Sequence, residues 1–150
     1  MASDGARPRK QIVIGVDGSE SSKDALRTGV RLADVLDADA TAVISWSTTA
    51  AYGEGYVAID WDPKQMAEKV LTETVDEVFG AHRPSGLKMF IAQGPAATVL
   101  ISRSQGATLL VVGSRGHGGF IGLLLGSVSS QCAEHASCPV LIVRAGEAIL

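Results

Sequence analysis

The chain has 150 residues, enough for one domain with a substantial core. Its 46% hydrophobic content excludes an intrinsically disordered protein, and a net charge of −3 without a basic stretch excludes a nucleic-acid binder of the usual electrostatic kind. No apolar run approaches the roughly 20 residues a membrane helix needs, so no membrane association is expected. Met1 to Lys10 is polar, without the apolar centre of a signal peptide, and reads as a flexible tail before a single domain over 11–150. The two cysteines, Cys132 and Cys138, match no zinc or redox spacing. Two reduced thiols in a cytoplasmic protein, with no metal site, are the expectation.

The first predicted element is a β-branched run, Gln11 to Asp17, which reads as a parallel strand buried on both faces. It ends in Asp17-Gly18-Ser19. A carboxylate there stands on the ligand side of an α/β sheet, although Asp beside Gly also makes an ordinary turn. Ser21 with Asp24 fits a helix-capping pair, and Leu26, Val30, Ala33 and Leu36 form one helical face. Ala40 to Trp46 is the second strand. The connection from Ser47 to Trp61 is long enough to be functional, and its aromatics suit either a cover over a ligand or a surface segment. Asp62-Pro63 opens a helix by N-cap and first-turn proline, with Met66, Val70, Leu71, Thr74 and Val78 on one face and Gly80 as its stop. Leu87 to Ala92 is the third strand. Gly94-Pro95 opens a short helix that Gly106 ends.

The fourth strand, Ala107 to Val112, runs into the richest stretch of the chain. Gly113, Gly116, Gly118 and Gly119 fall within seven positions, and Gly126-Ser127 leads into a helical repeat of Val128, Cys132 and Ala136. A glycine loop between a strand and a helix N-terminus suits a phosphate, because backbone N–H groups, the helix dipole and the missing side chains all favour it. The same glycines also suit a plain surface turn. No lysine follows Lys88, so this is not a Walker A loop, and the spacing is not G-x-G-x-x-G. Pro139 to Arg144 is the fifth strand.

Alternating strands and helices with right-handed crossovers give an open, Rossmann-like α/β fold with helices on both faces of a five-stranded parallel sheet. If the strands ending at Asp17 and Gly113 are neighbours, the order is 3-2-1-4-5 and the switch point lies between them, where such sheets bind ligands. The fifth strand, Val140 to Val143, is then an apolar edge, which predicts a homodimer through antiparallel pairing of two copies.

Four segments together resemble the universal stress protein family in its ATP-binding branch. They are Ile12 to Ser19, Leu109 to Gly116, Gly126 to Ser129 and Cys138 to Val143. The pattern G-x2-G-x9-G-S, on Gly113, Gly116, Gly126 and Ser127, matches that family's nucleotide motif in full. The resemblance implies ATP as ligand, with magnesium as its optional companion, and a nucleotide-responsive stress or signalling role with little or no catalysis. It places Asp17 on the ribose hydroxyls and the backbone around Gly15, Val16 and Ile44 on the adenine. Gly113, Gly116, Gly126, Ser127 and Ser129 would hold the phosphates, with Val112 and Val128 beside them. Arg115 and His117 stand at variable positions of the loop and are its weaker candidates. The N–H of Gly126 is expected to face the phosphates.

The alternative is an adenine-nucleotide-cleaving enzyme with weak ATPase or pyrophosphate-releasing activity, faintly suggested by Asp17 to Ser22. Phosphoryl transfer wants a placed cation, a metal and a base, and the loop carries one arginine and a single acid. A phospho-accepting receiver is rejected, since Ala92-Gln93-Gly94 and Arg144 stand where it needs Asp and Lys. An interaction module with a degenerate site is disfavoured by the intact glycine pattern.

Overall fold

The structure is a computed structural model, and it describes residues 7–48, 62–116 and 125–146. Its strands are β1 (Lys10–Gly15), β2 (Ala38–Trp46), β3 (Lys88–Gln93), β4 (Leu109–Gly113) and β5 (Val140–Val143). Its helices are α1 (Glu20–Leu36), α2 (Pro63–Phe79), α3 (Ala96–Arg103) and α4 (Ser127–His135). The sheet is parallel throughout, in the order β3-β2-β1-β4-β5. The expected topology is therefore the observed one, with β1 and β4 adjacent and β5 at an edge.

Alternation along the central strands feeds two cores. Ile12 and Ile14 of β1, Ala42 and Ile44 of β2 and Val111 of β4 point to one face, where Leu26 and Val30 of α1 and Leu71 and Val75 of α2 cover them. Val13, Val43, Leu110 and Val112 point to the other, under Leu100 of α3 and Cys132 of α4. Ile12, Ile14, Leu110 and Val111 are fully buried. A strand covered on both faces needs no polar alternation, which is why these segments read as continuous apolar runs.

The α2 face differs from the one its spacing suggested. Ala67, Leu71, Thr74 and Val75 are buried, whereas Met66 is 48% exposed and Val78 only packs at the margin of the core. The start of α1 differs too. Ser19 is the N-cap, its hydroxyl accepting from the Ser22 N–H at 3.3 Å, and Ser21 lies inside the first turn of the helix. Ser21 and Asp24 are therefore not a capping pair. The helix starts two residues earlier because Asp17 turns the chain first, its carboxylate accepting from the Ser19 N–H at 2.8 Å. At the other end of α1, Asp37 closes the helix in the left-handed region at φ 53°. Aspartate visits that region more readily than most residues.

Candidate functional site

The C-terminal ends of β1 and β4 meet as the switch-point argument requires. β1 stops at Gly15, and the Val16 N–H still bonds the Val43 carbonyl at 2.8 Å, so Asp17 is the first residue released from the sheet. β4 stops at Gly113, and the Ser114 N–H bonds the Val143 carbonyl at 2.8 Å. Beyond those anchors the two chain ends touch. A Cβ on Gly116 would lie 2.7 Å from Oδ2 of Asp17. A Cβ on Gly113 would lie 2.7 Å from the Ser21 carbonyl carbon and 2.8 Å from the Ser22 nitrogen. Contacts that short do not occur: a side chain at Gly113 would push β4 off the backbone of α1, and one at Gly116 would displace the Asp17 carboxylate.

The start of α4 closes the loop. Gly126 is its N-cap, at an ordinary φ of −73°. The N–H of Gly126 donates to the Ser114 carbonyl at 2.7 Å, so it is spent inside the protein and does not face a ligand, contrary to the expectation from its place before the helix. The Ser129 hydroxyl is 2% exposed and within 3.1 Å of the Ser114 and Gly126 carbonyls, so it ties the loop to the helix from beneath. The first intrahelical bond runs from the Ser130 N–H to the Gly126 carbonyl. The amides of Ser127, Val128 and Ser129 thus precede the helical ladder, and no side chain caps them. Ser127 and Gly116 are exposed, while Val112 is core and Val128 packs against the second core. Arg115 is exposed at its side chain and bound at its main chain by Ser19 and Ser21 at the start of α1. His117 lies outside the described residues, as does most of the Ser47 to Trp61 connection.

A pocket of about 280 Å³ adjoins Asp17. That is near the lower end of the range for small-molecule sites, roughly 300–1,000 Å³. Its floor is Val16, Val43 and Ile44 at the strand ends, and its walls are Met66, Ala67 and Val70 of α2 and Ala96, Val99 and Leu100 of α3, with Trp46 beside them. The strand-end residues Val16, Asp17 and Ile44 were legible from sequence, but the helical walls were not. Gly15 stands behind this wall rather than in it: a Cβ there would lie 2.9 Å from Cδ1 of Leu100. The signal for the walls is Met66, 48% exposed at the start of α2 and one turn before the half-buried Val70, which a core face alone does not explain. An apolar slot beside a carboxylate, followed by a glycine cradle and three uncapped helix amides, suits a flat apolar ring joined to a hydroxylated linker and an anionic tail.

Comparison with known proteins shows the family. Residues 8–144 match the universal stress protein family. The chain belongs to that family. It is 34% identical over 134 residues to the universal stress protein Rv2623 of Mycobacterium tuberculosis, covering 89% of this chain and 44% of that one. This universal stress protein spans about half the length of the curated relatives it matches. Among solved structures, a universal stress protein in complex with cAMP superposes with a TM-score of 0.67 at 25% identity, covering 93% of this chain and all of that one. An Arabidopsis thaliana family member with AMP bound gives a TM-score of 0.56 at 19% identity, covering 90% and 91% of the two chains. The second likeness speaks to the fold alone.

Proposed function

We propose that this protein binds an adenine nucleotide, ATP foremost, across the β1–β4 switch point and acts as a nucleotide-responsive stress or signalling protein with little catalysis. The base occupies the pocket between α2 and α3. The ribose hydroxyls donate to Asp17. The phosphates lie over Gly116 and the first amides of α4, where Ser127 and the backbone of Arg115 flank them. The observation that carries this reading is the contact of Gly116 with the Asp17 carboxylate, since it puts the motif glycine, the ribose acceptor and the apolar pocket side by side. The cAMP bound by the structural relative supports the adenine assignment. Magnesium would ride on the phosphates. Among the described residues no group of three or more His, Cys, Asp or Glu stands together to hold a metal.

The site offers few means of cleaving the nucleotide. Asp17 is the acid nearest the cradle, and its position over Gly116 suits recognition rather than activation of water. We further propose that the protein is cytoplasmic and a homodimer through β5. The deciding experiment denatures freshly purified protein, identifies any released nucleotide by mass and absorbance, and titrates the emptied protein with ATP, ADP, AMP and cyclic AMP. Absence of binding by all four would overturn the reading. Stoichiometric release of phosphate or pyrophosphate on a timescale of minutes would favour the enzymatic alternative instead.

A further inference from the structure

We infer that Ser21 is a positioning residue for the phosphate end of this site, holding one residue of the glycine loop, Arg115, in a two-point clamp from the start of α1. The inference rests on the nucleotide reading above. The Ser21 hydroxyl donates to the Arg115 carbonyl at 2.5 Å and accepts from the Arg115 N–H at 3.3 Å. Ser19 adds a second donor to the same carbonyl at 3.2 Å. Ser21 is only 4% exposed and sits 94 positions from Arg115 in the chain, so nothing local requires the contact.

A serine in the first turn of a helix usually faces solvent or caps its own backbone. Here the capping task belongs to Ser19, and Ser21 turns inward instead. Its approach requires the missing side chain of Gly113, since a Cβ there would collide with the Ser21 hydroxyl. The first glycine of the motif therefore makes room for a serine, and the serine fixes the peptide that leads into the second glycine. Gly116 follows Arg115 directly, so holding both polar groups of Arg115 sets the direction in which the Gly116 N–H leaves the loop. Through Asp17, whose own N–H donates to Ser22 at 3.3 Å, the same helix start also holds the ribose acceptor. One turn of α1 thereby sets the spacing between the ribose end and the phosphate end of the site.

A residue with this role acts on the phosphates and not on the base. In calorimetry on the full chain, Ser21→Ala is expected to weaken ATP about tenfold, the loss of one or two hydrogen bonds. Adenosine affinity should stay within about twofold. Ser21→Cys, which keeps the volume and a weak donor, should fall between parent and alanine for ATP, and it carries the same comparison if the alanine variant does not fold. Equal weakening of ATP and adenosine would overturn the inference, because a serine that only supports the fold moves both ligands together. An unchanged ATP affinity would overturn it as well. A parent chain that binds neither ligand removes the nucleotide reading itself, a result separate from either of these.

Discussion

At the scale of single residues, Asp17 carries two tasks. Its Oδ1 turns the chain into α1 through Ser19, and its Oδ2 faces Gly116. Asp17→Ala removes both, so it should weaken ATP about tenfold or more and also cost about 1 kcal/mol of stability. Asp17→Asn keeps the turn acceptor and removes the charge. Its melting temperature should match the parent while its ATP affinity still falls about tenfold, and calorimetry beside thermal melting checks both. Gly126 separates space from charge. With φ at −73° and its nearest atoms at 3.4 Å, an alanine fits with little strain, so Gly126→Ala should cost nucleotide affinity only modestly. Gly126→Asp puts a carboxylate against the Ser114–Gly116 backbone. At an effective dielectric near 20, like charges about 4 Å apart repel by about 4 kcal/mol, so ATP should weaken by on the order of a hundredfold even after screening. Tight ATP binding by that variant would mean the phosphates lie elsewhere. Cys132 behaves differently from Cys138. Burial pushes the Cys132 thiol from 9.0 up to about 11. The unfolded chain ionises this thiol first, so its contribution is constant below about pH 9 and is lost as pH rises from there toward 11. At pH 8 a thiol reagent should label Cys138, which is partly exposed, before Cys132, which is buried and should react only on unfolding.

Among the elements, the contact between α1 and β1 is tightest at Gly29. A Cβ there would stand 2.5 Å from Cδ1 of Ile14. Replacing a helical glycine by alanine gains about 1 kcal/mol in propensity, but overpacking a rigid core costs roughly 1–3 kcal/mol. Ile14 is fully buried between β2 and β4, so it has little room to yield. Gly29→Ala should thus be net destabilising, measurable as a lower denaturant midpoint with an unchanged slope. A gain in stability would mean that Ile14 has a second rotamer available. Strand order was legible because Asp17 and Gly113 both mark ligand-side termini, and the order 3-2-1-4-5 sets them side by side at the switch point. The glycine loop was legible through its spacing. The Ser21 clamp and the helical walls of the pocket were not, because each depends on a contact across many residues. A serine near a helix start has a common local explanation, and it hid the rarer one. Likewise Gly126 has the right place for an anion site, yet whether its N–H is available depends on where Ser114 lies.

For the molecule as a whole, the decisive surface is the β5 edge. In a parallel pair, alternate residues present both polar groups to the same side. The carbonyls of Pro139 and Val143 bond inward to Leu110 and Ser114. Val140 and Ile142 therefore direct their N–H and C=O groups outward, the pairing groups an antiparallel partner needs. Sedimentation at tens of micromolar should show a dimer, in line with a standard interface. Ile142→Pro deletes an outward N–H while leaving the inward ladder, and it should shift the protein to monomer. A parent that sediments as a monomer removes the dimer proposal.

The bond between the Gly126 N–H and the Ser114 carbonyl has one more consequence. It joins the two ends of the stretch from Arg115 to Leu125 at a neck, with Ser129 bracing it from below. A stretch held at its neck is a natural place for insertion, since the position of its ends no longer depends on what runs between them. Closure entropy grows slowly with length, by about 0.6 kcal/mol for each doubling. A reporter peptide of about ten residues placed after Gly119 should therefore lower stability by about that amount and leave β4, α4 and their register unchanged. The neck makes this protein a scaffold that can carry cargo between β4 and α4.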